Sequence, residues 1–376
     1  MMIPHLRYLT TVVFGAMAVL LLGAKTPTLK EVLGRDPYIG VAINAAQITG
    51  SDARGDAIIE TQFDSISPEN ALKWESIHPR PGVYTFSLSD KYVNFGEKHH
   101  MYIVGHTLLW YQQTPAWVFH DRHGNLVDRG TLLRRMRDHI QTVVGRYKGR
   151  VQSWDVVNEA LNEDGSLRQT LWCKIIGEDY IAKAFEFAHQ ADPKAILTYN
   201  DYDLENPRKR AGALALIKEL MQEGVPIMAV GMQGHVSLTE PSLAEEEDTI
   251  LAFGRLGVKV AISELDVDVL PRATKGLTAD TSLSVRPSGA LNPYSDGLPD
   301  KIQKRLAKRY QDLFRIYLEH RDIVSRVTFW GVTDASSWLN NWPVKGRTNY
   351  PLLFDRNGQP VPAFFAVLKV ASEKAK

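Results

Sequence analysis

From residue 37 onward, short apolar runs alternate with longer stretches of mixed polarity. The runs cover residues 38–44, 63–68, 101–107, 151–158, 195–200, 227–233, 259–265 and 327–333. Most are rich in β-branched and aromatic side chains, the composition of strands buried on both faces. Between the runs, apolar residues recur every three or four positions. Leu133, Met136, Ile140, Val143 and Val144 do so within 132–147. Leu214, Ile217, Leu220 and Met221 repeat the pattern, and so do Leu306, Tyr310, Leu313, Phe314 and Tyr317. That period puts each set on one helix face. Pro207 and Pro299 suit helix starts, and Gly224 a helix end. Eight alternating β and α units in about 340 residues predict an α/β fold, the (β/α)8 TIM barrel, as a single domain. A doubly wound open sheet would carry a glycine-rich phosphate turn after an early strand. Here Gly40 and Gly50 stand alone.

Two stretches fall outside this rhythm. Residues 270–299 carry four prolines and three glycines, are too long for an ordinary βα loop, and follow the seventh apolar run. They are expected to overhang the face where strands end. At the other extreme, a short basic segment (1–7) leads into a nearly unbroken apolar stretch (8–22), then Gly23, Ala24, Lys25 and Thr26. That is the layout of a secretory signal peptide over residues 1–24, with cleavage near Ala24 and the barrel occupying 25–376. Fifteen apolar residues are short for a membrane span, so no stable anchor is expected. The expected location is secreted or periplasmic.

Composition narrows the function classes. A net charge of +1 in 376 residues implies no nucleic-acid partner. The one cysteine, Cys173, rules out an intramolecular disulfide, which a core this large does not need. It reads as a small buried apolar residue and not a nucleophile.

The chemistry lies at the ends of the runs. Glu159 closes the fourth, after Asn158; Glu264 lies near the end of the seventh, two residues before Asp266. Barrel enzymes carry their catalytic groups at strand C-terminal ends. A buried carboxylate there costs free energy unless it is hydrogen-bonded or used. Two of them, about 105 residues apart in sequence, are the groups that glycosidic bond cleavage requires. The plain alternative pairs each with a barrel arginine or lysine, yet neither run has a basic residue at its exit. The other run ends supply Glu69, Asn70 and Lys73; His106, Trp110 and Gln113; Gln233 and His235; and Trp330 and Trp338. Singly, His106 could be a core histidine, Trp330 barrel filling, and Glu69 with Lys73 a surface pair at helical spacing. Together they fall on one face and combine indole rings with amides and charges, the surface that binds a sugar.

Segments 67–74, 106–117, 154–160, 231–235, 262–266 and 329–338 resemble glycoside hydrolase family 10, the endo-β-1,4-xylanases, and the likeness runs from about 37 to 372. The most specific element is the combination of Asp155-Val156-Val157-Asn158-Glu159 with Ser263-Glu264-Leu265-Asp266. The resemblance implies that Glu159 is the acid/base and Glu264 the nucleophile of a two-step retaining reaction. It implies that Asn158 binds the 2-hydroxyl of the cleaved sugar, and that His235 bonds Glu264 and is oriented by Asp266. Gln233, His106 and Trp110 would line the −1 subsite, Glu69, Asn70, Lys73 and Gln113 the next sugar. Trp330 and Trp338 would cover both and crowd a C5 hydroxymethyl. Xylan and xylo-oligosaccharides are the implied partners of a monomer that needs no metal or cofactor. A β-1,4-glucanase or mannanase would share the two glutamates. A metal-dependent barrel hydrolase could use His106, His235, Glu264 and Asp266, but would open with a His-x-His pair where Ile43-Asn44 stand. A non-catalytic sugar-binding protein has no support while both glutamates are present.

Overall fold

The computed structural model describes residues 26–272 and 279–374; the leader assigned to 1–24 and the segment 273–278 lie outside them. Nine strands follow in chain order: β1 Tyr38–Ile43, β2 Ser65–Pro68, β3 Tyr102–Leu109, β4 Ser153–Asn158, β5 Ile196–Asp201, β6 Ala229–Met232, β7 His235–Ser237, β8 Lys259–Asp268 and β9 Val324–Phe329. All pairings between them are parallel, running β6-β5-β4-β3-β2-β1-β9-β8, and β6 pairs with β8 to close the ring. Eight strands therefore form the barrel, with β7 a short strand added on the end of β8. Each of the eight expected runs contributes one barrel strand.

Register sets the height of the site. Asn158 of β4 lies beside Asn200 of β5, and Asn200 beside Gly231 of β6. Three polar or small positions thus share one level at the strand ends. Helices cover the outside because their buried stripes match the barrel wall. In Asp300–Glu319 the stripe is Leu306, Tyr310, Leu313, Phe314 and Tyr317, as the periodicity predicts. Two stripes differ in detail from the sequence reading. In Arg129–Arg146, Leu132 is buried while Leu133 is only partly covered. In Pro207–Gln222 the stripe is Ala213, Ile217 and Leu220; Met221 lies a residue around the helix and is 42% exposed. The last strand begins three residues before the apolar run, because Ser325 and the buried Arg326 mask its start, and ends at Phe329. Trp330 to Thr333 have already left the sheet, with Gly331 at φ +133°.

Cys173 sits buried and unpaired in the helix Leu171–Ile176, as its apolar neighbours suggest.

Candidate active site

All thirteen catalytic and sugar-binding candidates line one cleft of about 450 Å³ at the C-terminal end of the barrel. Asp266 lies just behind it. The cleft is built from strand ends, so each side chain inherits its place from a parallel strand and its depth from the register.

Glu159 follows the last residue of β4 and takes φ +58°, a left-handed conformation that costs a non-glycine residue roughly 1–3 kcal/mol. Its N–H donates to the Asn200 carbonyl at 2.9 Å. Its carboxylate accepts from Trp110 Nε1 at 2.8 Å on one oxygen, and from Gln233 Nε2 at 3.0 Å and Asn158 Nδ2 at 3.2 Å on the other. Glu264 accepts from Asn200 Nδ2 at 2.8 Å and lies 3.3 Å from His235 Nε2. The other imidazole nitrogen of His235 meets Asp266 at 3.1 Å. Both glutamates are nearly inaccessible, at 3% and 5% exposure. Among the described residues neither pairs with a lysine or arginine, so the plain ion-pair alternative fails there: their partners are amides, an indole and an imidazole.

Charge separates the two. Burial pushes Glu159 up to about 7, helped by the negative charge of Asp201 and, more weakly, by Glu264, while the Gln233 and Trp110 hydrogen bonds pull the other way. For Glu264, burial also pushes up, but the His235 hydrogen bond, the His106 and His235 charges and the Asn200 amide together outweigh it, so its carboxyl is held below the usual range. His235 is itself depressed by burial, yet Asp266 and Glu264 more than compensate and raise it to about 10. It stays a cation that donates from both nitrogens. Glu264 is therefore a smaller influence on Glu159 than burial and Asp201.

Asp201 is a feature the sequence reading passed over. It is fully buried, bonded by Tyr199 Oη at 2.6 Å, and paired with the equally buried Lys209 ammonium at 2.9 Å. Asn200 was also missed. Its amide bonds both the Asn158 side chain and Glu264, each at 2.8 Å, and Ser263 Oγ fixes its orientation at 2.6 Å. The strand-end rule that found Asn158 and Glu159 would have found both, since Asn200 and Asp201 close β5.

The remaining candidates form the walls. Lys73 Nζ bonds Asn70 at 3.1 Å and Gln113 at 2.9 Å, and lies 4.9 Å from the Trp110 ring centre. Glu69 and Lys73 are not a helical surface pair: they sit in the turn before the short helix Trp74–Ile77, and Lys73 is buried. Burial pushes Glu69 up to about 7, opposed by Lys73. His106 is both core and cleft: its ring nitrogen meets buried Asp155 at 3.0 Å while it lines the cavity edge-on to Trp330. Trp338 donates Nε1 to Asp266 at 2.7 Å, packs against His235 and stacks on Trp342 at 4.5 Å. Asp266 thus fixes both the histidine beside Glu264 and the indole of the wall. Gln112, Ala279, Thr281 and Ser336 complete the lining. Among the described residues, no group of three His, Cys, Asp or Glu side chains is arranged to hold a metal ion.

A closed parallel barrel whose strand ends present two differently charged glutamates among amides and indoles defines a barrel glycoside hydrolase. The model of glycosyl hydrolase family 10 matches residues 28–370, and the chain belongs to that family. It is 44% identical to endo-1,4-beta-xylanase A of Xylanibacter ruminicola, over 97% of this chain and 100% of the relative. Among solved structures, a family 10 endoxylanase from a sugarcane soil metagenome superposes with a TM-score of 0.89 at 48% identity, covering 91% of this chain and 99% of that one. A further structure, a variant in complex with xylotriose, has a TM-score of 0.81 at 36% identity over 91% and 99%. The family is a retaining one that works through two glutamates.

Proposed function

We propose that Glu159 is the acid/base and Glu264 the nucleophile of this endo-1,4-β-xylanase. The observation that carries the assignment is the placing of two buried carboxyls in one hydrogen-bond network: Glu264 is held by the Asn200 amide and His235, which favour its ionised form, while burial and Asp201 favour the protonated form of Glu159. Ionised Glu264 attacks the anomeric carbon as Glu159 protonates the departing glycosidic oxygen. The C1–O bond to the leaving chain breaks and a bond from C1 to Glu264 forms. Glu159, now a carboxylate, takes a proton from water, whose oxygen attacks C1 and releases Glu264. Neutralising Glu264 in the intermediate removes one of the negative charges that raise Glu159, so its pKa falls as it turns from acid to base.

Xylan and xylo-oligosaccharides are the substrates. The assignment of Asn158 to the 2-hydroxyl, and of Gln233, His106 and Trp110 to the cleaved sugar, is supported by the bonds from Asn158, Gln233 and Trp110 to Glu159 and by the place of His106 in the same cleft. Asn70, Lys73 and Gln113 form one hydrogen-bonded set beside it, with Glu69 nearby, suited to the next sugar. Trp330 and Trp338 supply its covering wall. The enzyme acts as a monomer, secreted or periplasmic. Side-by-side assay of reducing ends released from glucuronoxylan, arabinoxylan and carboxymethylcellulose tests the activity. Release from the two xylans with initial β-anomeric products is expected; preference for the cellulose, or α products, would overturn it.

A further inference from the structure

The turn that carries Glu159 is held from behind by a buried ion pair. Glu159 sits at φ +58°, a conformation that persists only where its surroundings hold it. Asp201 supplies part of that hold. Its Oδ2 accepts from the Leu161 N–H, two residues beyond Glu159, at 3.4 Å and from Tyr199 Oη at 2.6 Å. Its Oδ1 accepts from the Tyr202 N–H at 2.9 Å and faces Lys209 Nζ at 2.9 Å. Asp201 and Lys209 are both fully buried. Lys209 reaches in from the first turn of the helix Pro207–Gln222, its ammonium 3.4 Å from the Tyr202 ring centre. Nζ makes no hydrogen bond among the described residues, so it meets Asp201 as a charge.

Stability does not account for this pair. Desolvating two charges costs about as much as their attraction returns, and apolar residues of the same volume often do as well. A lysine in the first turn of a helix also opposes the helix dipole. What the pair does supply is a fixed anion behind the acid/base. After burial, the Asp201 charge is the largest influence favouring the protonated form of Glu159. Other charged and titratable groups face the pair: Glu163, 4.0 Å from Lys209, Arg168 in the same loop, Tyr180 on the helix Tyr180–Ala191, and Asp203 and Glu205 after β5. Around Glu159 itself stand Glu264, Lys73, Tyr111 and Tyr202. All of these are kept in the variants below, so a change in the pH profile reports the pair.

We propose that Asp201, ion-paired with Lys209, is a positioning residue for the acid/base: it clamps the turn after Glu159 and keeps the proton on Glu159 until the leaving oxygen takes it. This rests on the acid/base reading of Glu159 and adds to it the group that acts through that residue. The test is kcat/KM against pH for the wild type, for Asp201→Asn, and for Asp201→Asn combined with Lys209→Met. Two aryl xylobiosides are compared, phenyl with a poor leaving group and dinitrophenyl with a good one. Asparagine keeps an acceptor for the Leu161 N–H, and the double variant leaves no lone buried charge behind. Losing a neighbouring anion lowers Glu159, and a Lys209 left charged in the single variant acts in the same direction. The alkaline limb for the phenyl substrate, at about pH 7 in the wild type, is therefore expected to move to lower pH by about one unit in both variants. The dinitrophenyl substrate needs little protonation and is expected to keep its wild-type alkaline limb. A limb that stays in place for the phenyl substrate, with both substrates slowed alike, marks the pair as structural and overturns the proposal. Loss of folded protein in both variants, read by circular dichroism, overturns it as well. Glu159→Ala is measured alongside: equal loss on the two substrates overturns the acid/base reading instead, so the two failures are told apart.

Discussion

Asn200 shows how much one amide can organise. Its side chain holds Glu264 and Asn158, while its carbonyl holds the Glu159 N–H. Both carboxyl groups are thereby referred to one residue. The protonation difference they carry makes a signed prediction. Glu159 must be protonated and sits at about 7, so kcat/KM falls as pH rises through about 7. Glu264 must be ionised and is held below the ordinary carboxylate range, so the acid limb lies below pH 4.5. The resulting bell belongs to the coupled pair and is measured on an unsubstituted aryl xylobioside. An alkaline limb at pH 5 would contradict the burial argument. Removing each glutamate separates their roles. Glu264→Ala should lose covalent intermediate formation, and added azide should restore turnover with inverted product. Glu159→Ala should cripple xylan cleavage, costing on the order of 10²–10⁴-fold, but much less so on aryl glycosides whose leaving groups need little protonation. Equal loss on both substrates would mark Glu159 as structural.

At the level of elements, the strand ends act as a shared shelf. Gly231 of β6 faces Asn200, and a Cβ built there would stand 2.1 Å from Asn200 Oδ1. Only glycine leaves room for the amide that joins the two glutamates. Gly231→Ala should therefore displace Asn200 and lower kcat by about 10²-fold, as a misplacement near 1 Å does, with little change in folded structure by circular dichroism. Full activity in that variant would show that Asn200 can be spared. We propose that the segment after β9 acts on the substrate's outline. Trp338 is clamped by Asp266, His235 and Trp342, so it cannot swing away to admit a C5 hydroxymethyl. Crowding by a held indole costs about 1–3 kcal/mol, roughly 5- to 150-fold in rate. Trp338→Ala should narrow the xylobioside-to-cellobioside ratio of kcat/KM without reversing it. An unmoved ratio would shift selectivity to the Glu69–Lys73 side of the cleft.

For the whole molecule, the barrel does the work that a disulfide or metal does in smaller proteins. Its ring of eight strands leaves no unpaired sheet edge around the core, and the single cysteine stays buried. We propose that export follows from residues 1–24. The mature protein is expected to begin close to Lys25, read by mass spectrometry of the secreted or periplasmic form. An intact Met1 in soluble cytoplasmic protein would defeat that proposal.

The sequence by itself determined the barrel, its eight strands and most of the cleft. Strand-length apolar runs and helical stripes are local patterns, and parallel βα units bring all run ends to one face. A polar residue at any run end is therefore legible as a cleft residue, as Glu159, Glu264, His106 and Gln233 are. Three things needed the tertiary structure. The link between the glutamates through Asn200 depends on register, which sets residues from β4, β5 and β6 at one height. The weight of Asp201 in raising Glu159 depends on burial and on the geometry of charges, neither of which spacing along a chain contains. The fastening of the 279–285 segment to Gln112 and Trp342 joins residues up to 169 positions apart. No local pattern foretells such contacts, because they form only when the closed ring brings the loops of β3, β8 and β9 over a common floor.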